Sequence, residues 1–187
     1  SYALDRVIEI KEQPSYEGQT LITQSVGMDA DAHVLSLALA ESGKINLVSL
    51  QYIDFRAAKD EDPEIKEQGI LKTSESLSLA GADANTRGIL VGQDWYFVVG
   101  NKVYTSPVLK PQLADLTTLP DDLGVPVAVA VTSKETHLII ATYDAGSSHE
   151  NKGSFALVDL TTKEVKVHRN VMGKCVVAKG YDANPWF

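Results

Sequence analysis

Short apolar runs separated by turn residues follow one another along the second half of the chain. Four such runs occupy residues 127–132, 136–143, 154–160 and 164–168. Each has the length of a β-strand and is rich in Val, Ile, Thr or aromatic residues, and the intervening segments contain Gly, Asp, Asn and Ser. The pattern therefore predicts one four-stranded antiparallel unit.

The polarity of these runs changes from the first to the fourth. The first reads VAVAVT from residue 127 and is small and apolar throughout, which predicts an inner strand packed on both faces. The fourth reads EVKVH from residue 164 and alternates charged with apolar residues, which predicts a half-exposed outer strand. This progression is typical of a propeller blade, whose first strand lines a crowded axis. A further run, KCVVA at 174–178, would begin the next unit.

Weaker copies of the unit precede it. Predicted strands lie at 24–29, 33–39, 44–50, 87–92, 95–99 and 102–106, and the connection 110–124 has room for a short outer strand around 113–116. We therefore predict an all-β fold, a β-propeller or partial propeller of four-stranded antiparallel units. A β-sandwich is the alternative, because short strands joined by Gly, Pro, Asn and Asp turns describe it as well.

The length of 187 residues limits the architecture. It is enough for one hydrophobic core but short for a closed propeller with more than four blades. The sequence thus predicts a single all-β domain over residues 1–187, either whole or a fragment of a larger propeller. Every apolar run ends well before the roughly 20 residues that span a bilayer, so no transmembrane segment is expected.

The charge of the chain argues against one class of partner. The net charge is −8, and the Lys and Arg residues are scattered rather than clustered. A surface that neutralises phosphates is therefore not expected, and nucleic acid is excluded as a partner. Cys175 is the only cysteine and lies in an apolar run, so we predict a small buried hydrophobe rather than a disulfide or a reactive thiol.

No motif predicts a metal, a cofactor or a reaction. Asp29 and Asp31, like Asp83 and Asn85, place oxygen ligands two residues apart, but neither pair continues into a calcium loop and both predict turns. The four histidines lie in separate segments without zinc-ligand spacing. A nucleophile elbow and a phosphate-binding loop are also missing from the sequence. The sequence leaves open a glycoside-cleaving site that is formed by two carboxylates from distant strands.

The best candidate for ligand contact is the long loop at residues 144–153. Tyr143, Asp144 and His149 bring an aromatic ring, a carboxylate and an imidazole to this loop, a combination that suits recognition of a polyol. A mobile, solvated hairpin tip is the alternative. Trp95 is the fourth candidate, as a stacking platform for a ligand, with packing between strand units as its alternative.

Part of the chain resembles a known family. The segments WYFVVGNKVY at 95–104, IIATYD at 139–144, KGSFALVD at 152–159 and MGKCVV at 172–177 are similar to the propeller-like C-terminal part of PKD-like surface lipoproteins of Bacteroidetes. The resemblance implies a periplasmic or cell-surface binding protein of the kind associated with polysaccharide utilisation. It carries over no catalytic residue, and this chain has neither a lipobox cysteine nor a PKD-like portion.

Together these observations predict a non-enzymatic extracytoplasmic binding module for glycan or a partner protein, which uses the loops at one end of its strand units. A glycan-cleaving enzyme that gathers carboxylates from several strands is the first alternative. A structural scaffold with flat ends is the second.

Overall fold

The computed structural model describes residues 18–22, 27–29, 34–51 and 72–173. Within these ranges the regular structure consists of β-strands and one short 3-10 helix, and no helix there could cross a membrane. The elements are β1 Thr20–Leu21, β2 Gly27–Asp29, β3 Val34–Glu41, β4 Lys44–Gln51, β5 Lys72–Ser78, β6 Arg87–Val91, β7 Asp94–Val99, β8 Lys102–Pro107, β9 Ala114–Thr118, η1 Asp121–Leu123, β10 Val125–Val131, β11 His137–Tyr143, β12 Gly153–Asp159 and β13 Val165–Met172.

The strands form three antiparallel sheets in chain order. Sheet 1 has the order β1-β3-β4-β5, with β2 paired to β3 on the same edge as β1; sheet 2 is β6-β7-β8-β9 and sheet 3 is β10-β11-β12-β13. Within sheets 2 and 3 each strand pairs with its neighbour in sequence. Gly92 and Gly100 adopt positive φ angles of 58° in the two-residue turns of sheet 2, a conformation that favours glycine.

Sheet 2 is buried on both faces. Successive side chains of β7 point to opposite sides of the sheet. Trp95, Phe97 and Val99 lie in a buried cluster with residues of sheet 1 such as Ile45. Val98 lies in a second cluster formed with sheet 3. Sheet 2 therefore shares one apolar layer with each of its neighbours.

The layer between sheets 2 and 3 is built from branched aliphatic side chains. Its fully buried members come from both sheets: Ile89, Val98 and Val103 from sheet 2, and Val129, Leu138, Ile140 and Val158 from sheet 3. On β13, Val165 and Val167 pack at the edge of this layer, whereas Lys166 and His168 are exposed. The outermost strand therefore covers the layer with one face and meets solvent with the other.

The first strands of the three sheets lie side by side. The backbone N–H of Gly88 in β6 donates to the carbonyl of Ile22, which follows β1, at 2.9 Å. Nε of Arg87 donates to the carbonyl of Val127 in β10 at 3.0 Å. Val127 lies where β10 shifts register against β11, so the bulge presents its carbonyl to sheet 2. These bonds fix the starts of β6 and β10 at the same end of the sheets.

The prediction of an all-β fold is confirmed, together with the four-stranded unit, which is sheet 3. The short outer strand expected around 113–116 is also confirmed, as β9. Strand β5 was not predicted: its sequence KTSESLS contains one large apolar residue, and it pairs with β4 through its backbone. Predictions for Cys175, and for residue 31, fall outside the described residues.

The layer between sheets 2 and 3 leads to a stability prediction. Ile140 is fully buried there, whereas Leu109, in the turn after β8, is 84% exposed. We expect Ile140→Ala to lower the free energy of unfolding by about 2–5 kcal/mol, because it removes buried methyl groups and leaves a cavity. Leu109→Ala should change it by less than about 0.5 kcal/mol. Urea unfolding of both variants would measure this, and equal losses would contradict the assignment of the layer.

Candidate functional site

Among the described connections from residue 79 onward, four lie at the end where β6 and β10 begin. They are residues 79–86 before β6, 100–101 between β7 and β8, 119–124 before β10, and 144–152 between β11 and β12. Antiparallel pairing returns the chain to this end at each of these connections. We call this set the loop end. It contains the predicted site residues Asp144 and His149, and Tyr143 directly precedes it at the end of β11.

The loop 144–152 is closed by bonds of its own. The backbone N–H of Asp144 donates to the carbonyl of Lys152 at 3.0 Å, and Nζ of Lys152 donates to the carbonyl of Ala145 at 2.9 Å. Oδ1 of Asp144 accepts the N–H of Gly146 at 2.9 Å, which is an Asx turn. The carboxylate thus shapes the first turn of the loop.

The three predicted loop residues differ in their surroundings. Tyr143, the last residue of β11, and Asp144, the first of the loop, are half-buried at its base. His149 is exposed in the outer part, where its backbone N–H donates to Oγ of Ser147 at 3.2 Å. The structure therefore brings Tyr143 and Asp144 together on a supported base and leaves His149 on the surface of the same loop.

Backbone contact with a neighbouring connection supports this base. Gly124 lies between η1 and β10 with φ of +78°, and a Cβ atom at this position would be 2.5 Å from the carbonyl oxygen of Tyr143 and 2.7 Å from N of Asp144. Only glycine permits so close an approach. The segment before β10 therefore packs backbone to backbone against the start of the loop.

Two carboxylates of the same connection accept hydrogen bonds from side chains of another turn and another strand. Asp121 accepts a hydrogen bond from Nδ2 of Asn101. Asp122 accepts two bonds from Arg169 in β13, Nε to Oδ2 at 2.9 Å and Nη2 to Oδ1 at 3.1 Å. These bonds with the guanidinium lower the pKa of the Asp122 carboxyl, and the same pair raises the pKa of Arg169. The loop end is thus charged, with carboxylates whose positions are fixed.

Trp95 does not serve as a stacking platform in this structure. Its side chain is 2% exposed and lies between sheets 1 and 2, with its ring stacked on Phe97 at a centroid distance of 5.9 Å. A ligand needs an open ring face, which this position does not offer. The prediction of Trp95 as a ligand-binding residue is therefore corrected. Trp95 instead packs between strand units, which was the alternative.

The spaced pair Asp83 and Asn85 forms a turn, as predicted. Oδ1 of Asp83 accepts the backbone N–H of Asn85 at 2.8 Å, and Oδ2 accepts its side-chain amide at 3.3 Å. Both carboxylate oxygens of Asp83 therefore accept hydrogen bonds within the turn. Among the residues that the structure describes, no three His, Cys, Asp or Glu side chains cluster in a way that could hold a metal ion.

Gly124, Asp122 and Arg169 were not singled out in the sequence analysis. The only sequence signal was the run PDDLG at 120–124, whose proline, aspartates and glycine predict a turn but not its partner. Arg169 lies 47 positions from Asp122, so their pairing is a product of the tertiary structure.

Comparison with known proteins gives no family for the chain. No protein-family model matches its sequence, and no curated protein shows significant sequence similarity to it.

Gly124 yields a prediction about how the loop is supported. We expect Gly124→Ala to destabilise the protein by about 1–3 kcal/mol, because the new methyl group meets backbone atoms and the backbone angles favour glycine. Gly146→Ala is the matched control: its Cβ would meet only Oδ1 of Asp144, at 3.4 Å, an ordinary contact. Urea unfolding would compare the two variants, and a Gly124→Ala protein as stable as the control would contradict the close approach.

The ion pair of Asp122 and Arg169 predicts a pH dependence. The pKa of Asp122 is lowered from its ordinary value of 3.8 in the folded protein, so its contribution to stability is present above that value and is lost as the pH falls through the lowered pKa. The melting temperature of the protein should exceed that of Asp122→Asn at about pH 6 and approach it at about pH 2. Because both side chains are well exposed, the difference should be small and should shrink in high salt. A difference that grows in acid would contradict this sign.

Proposed function

We propose that the protein is a non-enzymatic extracytoplasmic binding module and that its loop end contacts glycan. One observation carries the proposal: Tyr143 and Asp144 are held at a supported base by Gly124, beside an exposed polar loop. A binding group that is fixed before the ligand arrives loses less conformational entropy on binding. The base of this loop meets that requirement.

The chemistry of the loop suits sugar hydroxyl groups. Oδ1 of Asp144 accepts the bond within the turn, and Oδ2 is the second acceptor on the same rigid carboxylate. His149 adds an exposed imidazole, and the half-buried ring of Tyr143 adds an apolar surface for a sugar face. Hydrogen bonds to a charged acceptor are among the stronger polar contacts in a binding site.

We also propose how the three sheets are arranged. We take the three sheets to be successive blades of a propeller or partial propeller, with a sandwich-like stack as the alternative. Support comes from the side-by-side first strands, linked through Gly88 and Arg87, and from the single apolar layer between successive sheets. A periplasmic or cell-surface location and a place in polysaccharide utilisation rest on the resemblance to PKD-like lipoproteins.

A glycan-array screen of the purified chain tests the function, followed by calorimetric titration of the best sugar. We expect Asp144→Asn to weaken binding by about tenfold or more, because a hydrogen bond to a charged group is lost, and His149→Ala to weaken it less. Asparagine keeps the Oδ1 acceptor of the turn, so the loop should retain its shape. Glu164→Gln, at the opposite end of sheet 3, is the control that also removes one exposed carboxylate.

The outcomes of this screen separate the alternatives. Unchanged affinity in both loop variants would remove the loop from the site. Products detected by mass spectrometry would identify a glycan-cleaving enzyme and overturn the binding module. A complete lack of sugar binding would contradict glycan as the ligand and direct the search to a partner protein.

A further inference from the structure

A histidine and an aspartate lie side by side at the end of sheet 3 that is opposite the loop end. His137 is the first residue of β11 and Asp159 is the last of β12, and the two are direct partners in the antiparallel register. Partners of this kind place their side chains on the same face of a sheet. Nε2 of His137 and Oδ2 of Asp159 are 3.4 Å apart. Strand pairing thus brings a nitrogen atom and an oxygen atom that can bind metals next to each other.

The imidazole ring is oriented by the turn before β11. Nδ1 of His137 lies 2.9 Å from Oγ1 of Thr136, within hydrogen-bond distance. Oγ1 of Thr132 accepts the backbone N–H of Thr136 at 3.3 Å and that of His137 at 3.2 Å, so the turn itself is held in place. When Nδ1 donates its proton to the Thr136 hydroxyl, Nε2 keeps a free lone pair. The bond to Thr136 therefore leaves Nε2 as the metal-binding nitrogen.

The carboxylate of Asp159 is oriented by the turn after β12. Its Oδ1 accepts the backbone N–H of Thr161 at 2.8 Å and that of Thr162 at 2.7 Å. Because both of these bonds end on Oδ1, the oxygen that faces the imidazole is the other one, Oδ2. In metal sites, hydrogen bonds of this kind hold the ligands in the orientation that the ion requires. Two separate turns supply them here.

The distance between the two facing atoms suits a metal ion that bridges them. An N–H···O hydrogen bond is about 2.7–3.2 Å long, so the separation of 3.4 Å is wider than a direct bond requires. Zinc binds imidazole nitrogen and carboxylate oxygen at about 2.0–2.2 Å, and two such ligands at tetrahedral angles lie about 3.3–3.5 Å apart. The observed separation falls in that range, so an ion can bind with little movement of either side chain.

We propose that Nε2 of His137 and Oδ2 of Asp159 bind a divalent transition-metal ion of the zinc type. The two side chains are 36% and 28% exposed, so an ion can reach them from solvent. In the part of the chain that the structure describes, no third His, Cys, Asp or Glu joins the pair. Water therefore fills the remaining positions around the ion, and the site is open, unlike the closed four-ligand sites of structural zinc. This proposal does not rest on the proposed binding of glycan at the loop end.

Titration of the full-length protein with zinc chloride tests the proposal, with nuclear magnetic resonance to locate the ion and calorimetry to measure its affinity. We expect the imidazole resonances of His137 and the amide resonances of Thr161 and Thr162 to shift as zinc is added. An ion that binds only the folded protein also stabilises it, so the melting temperature should rise with the zinc concentration. Calcium prefers oxygen ligands and should not displace the zinc.

Substitutions link the affinity to the two ligands. Loss of a hydrogen-bond partner of a metal ligand typically weakens metal binding 10–100-fold, so His137→Ala and Asp159→Asn should each weaken it by about tenfold or more. Asparagine keeps an Oδ1 acceptor for the turn after β12. His168→Ala is the matched control, because it removes another exposed imidazole of sheet 3 and should leave the affinity unchanged. All proteins in this comparison carry Cys175→Ala, so that the only thiol does not bind zinc.

Thr136→Val separates a metal site from a simple ion pair. The substitution leaves both ligands in place but removes the hydroxyl group that orients the imidazole. We expect it to weaken zinc binding by about tenfold, as loss of a supporting hydrogen bond does at other metal sites.

Three results would overturn the proposal. The imidazole resonances of His137 could stay in place as zinc is added, which would leave the two residues as an ion pair alone. Zinc affinity could be equal in the His137→Ala protein and the His168→Ala control, which would assign the ion to another part of the chain. Calcium could displace zinc from the protein, which would contradict a nitrogen ligand. The resonance titration of the unsubstituted protein decides the question even if a variant does not fold.

Discussion

The burial of both faces of sheet 2 is the constraint on which the described structure depends. Trp95 and Phe97 stack with their planes 12° apart on the side of sheet 1, while Val98, the residue after Phe97, points into the layer shared with sheet 3. Gly88 on the neighbouring strand makes room for this arrangement, because a Cβ there would lie 3.1 Å from the ring of Phe97. With apolar side chains on both faces, sheet 2 is stable only between two other sheets.

The position of the candidate site follows from this stacking. The side chain of Arg87 holds the bulge carbonyl of Val127 and two carbonyls of its own turn, so it joins the starts of β6 and β10. Gly124 then brings the connection before β10 against the start of the loop 144–152. These contacts thus fix the position of the loop end relative to the buried core. The surface loop is held by the scaffold, as binding loops commonly are.

The polarity of sheet 3 increases from its first strand to its last. Ala128 and Ala130 of β10 and Ala141 of β11 are buried, whereas Lys166 and His168 of β13 are exposed to solvent. An apolar strand has to be buried, whereas a strand that carries charged side chains can meet solvent. Sheet 3 therefore combines a buried first strand with a solvent-exposed last strand.

Local sequence patterns specify the strands of this protein and their polarity. Alternation and turn residues are local signals, and they predicted all four strands of sheet 3, the exposed β13 and the loop that carries Tyr143, Asp144 and His149. They missed β5, because a polar edge strand is defined by its backbone partner rather than by its own side chains. The burial of Trp95 follows from long-range packing and not from its local sequence, because an aromatic residue suits a core and a binding surface equally well. The contact of Gly124 with the loop and the pairing of Asp122 with Arg169 likewise join distant segments, and no local pattern encodes which segments will meet.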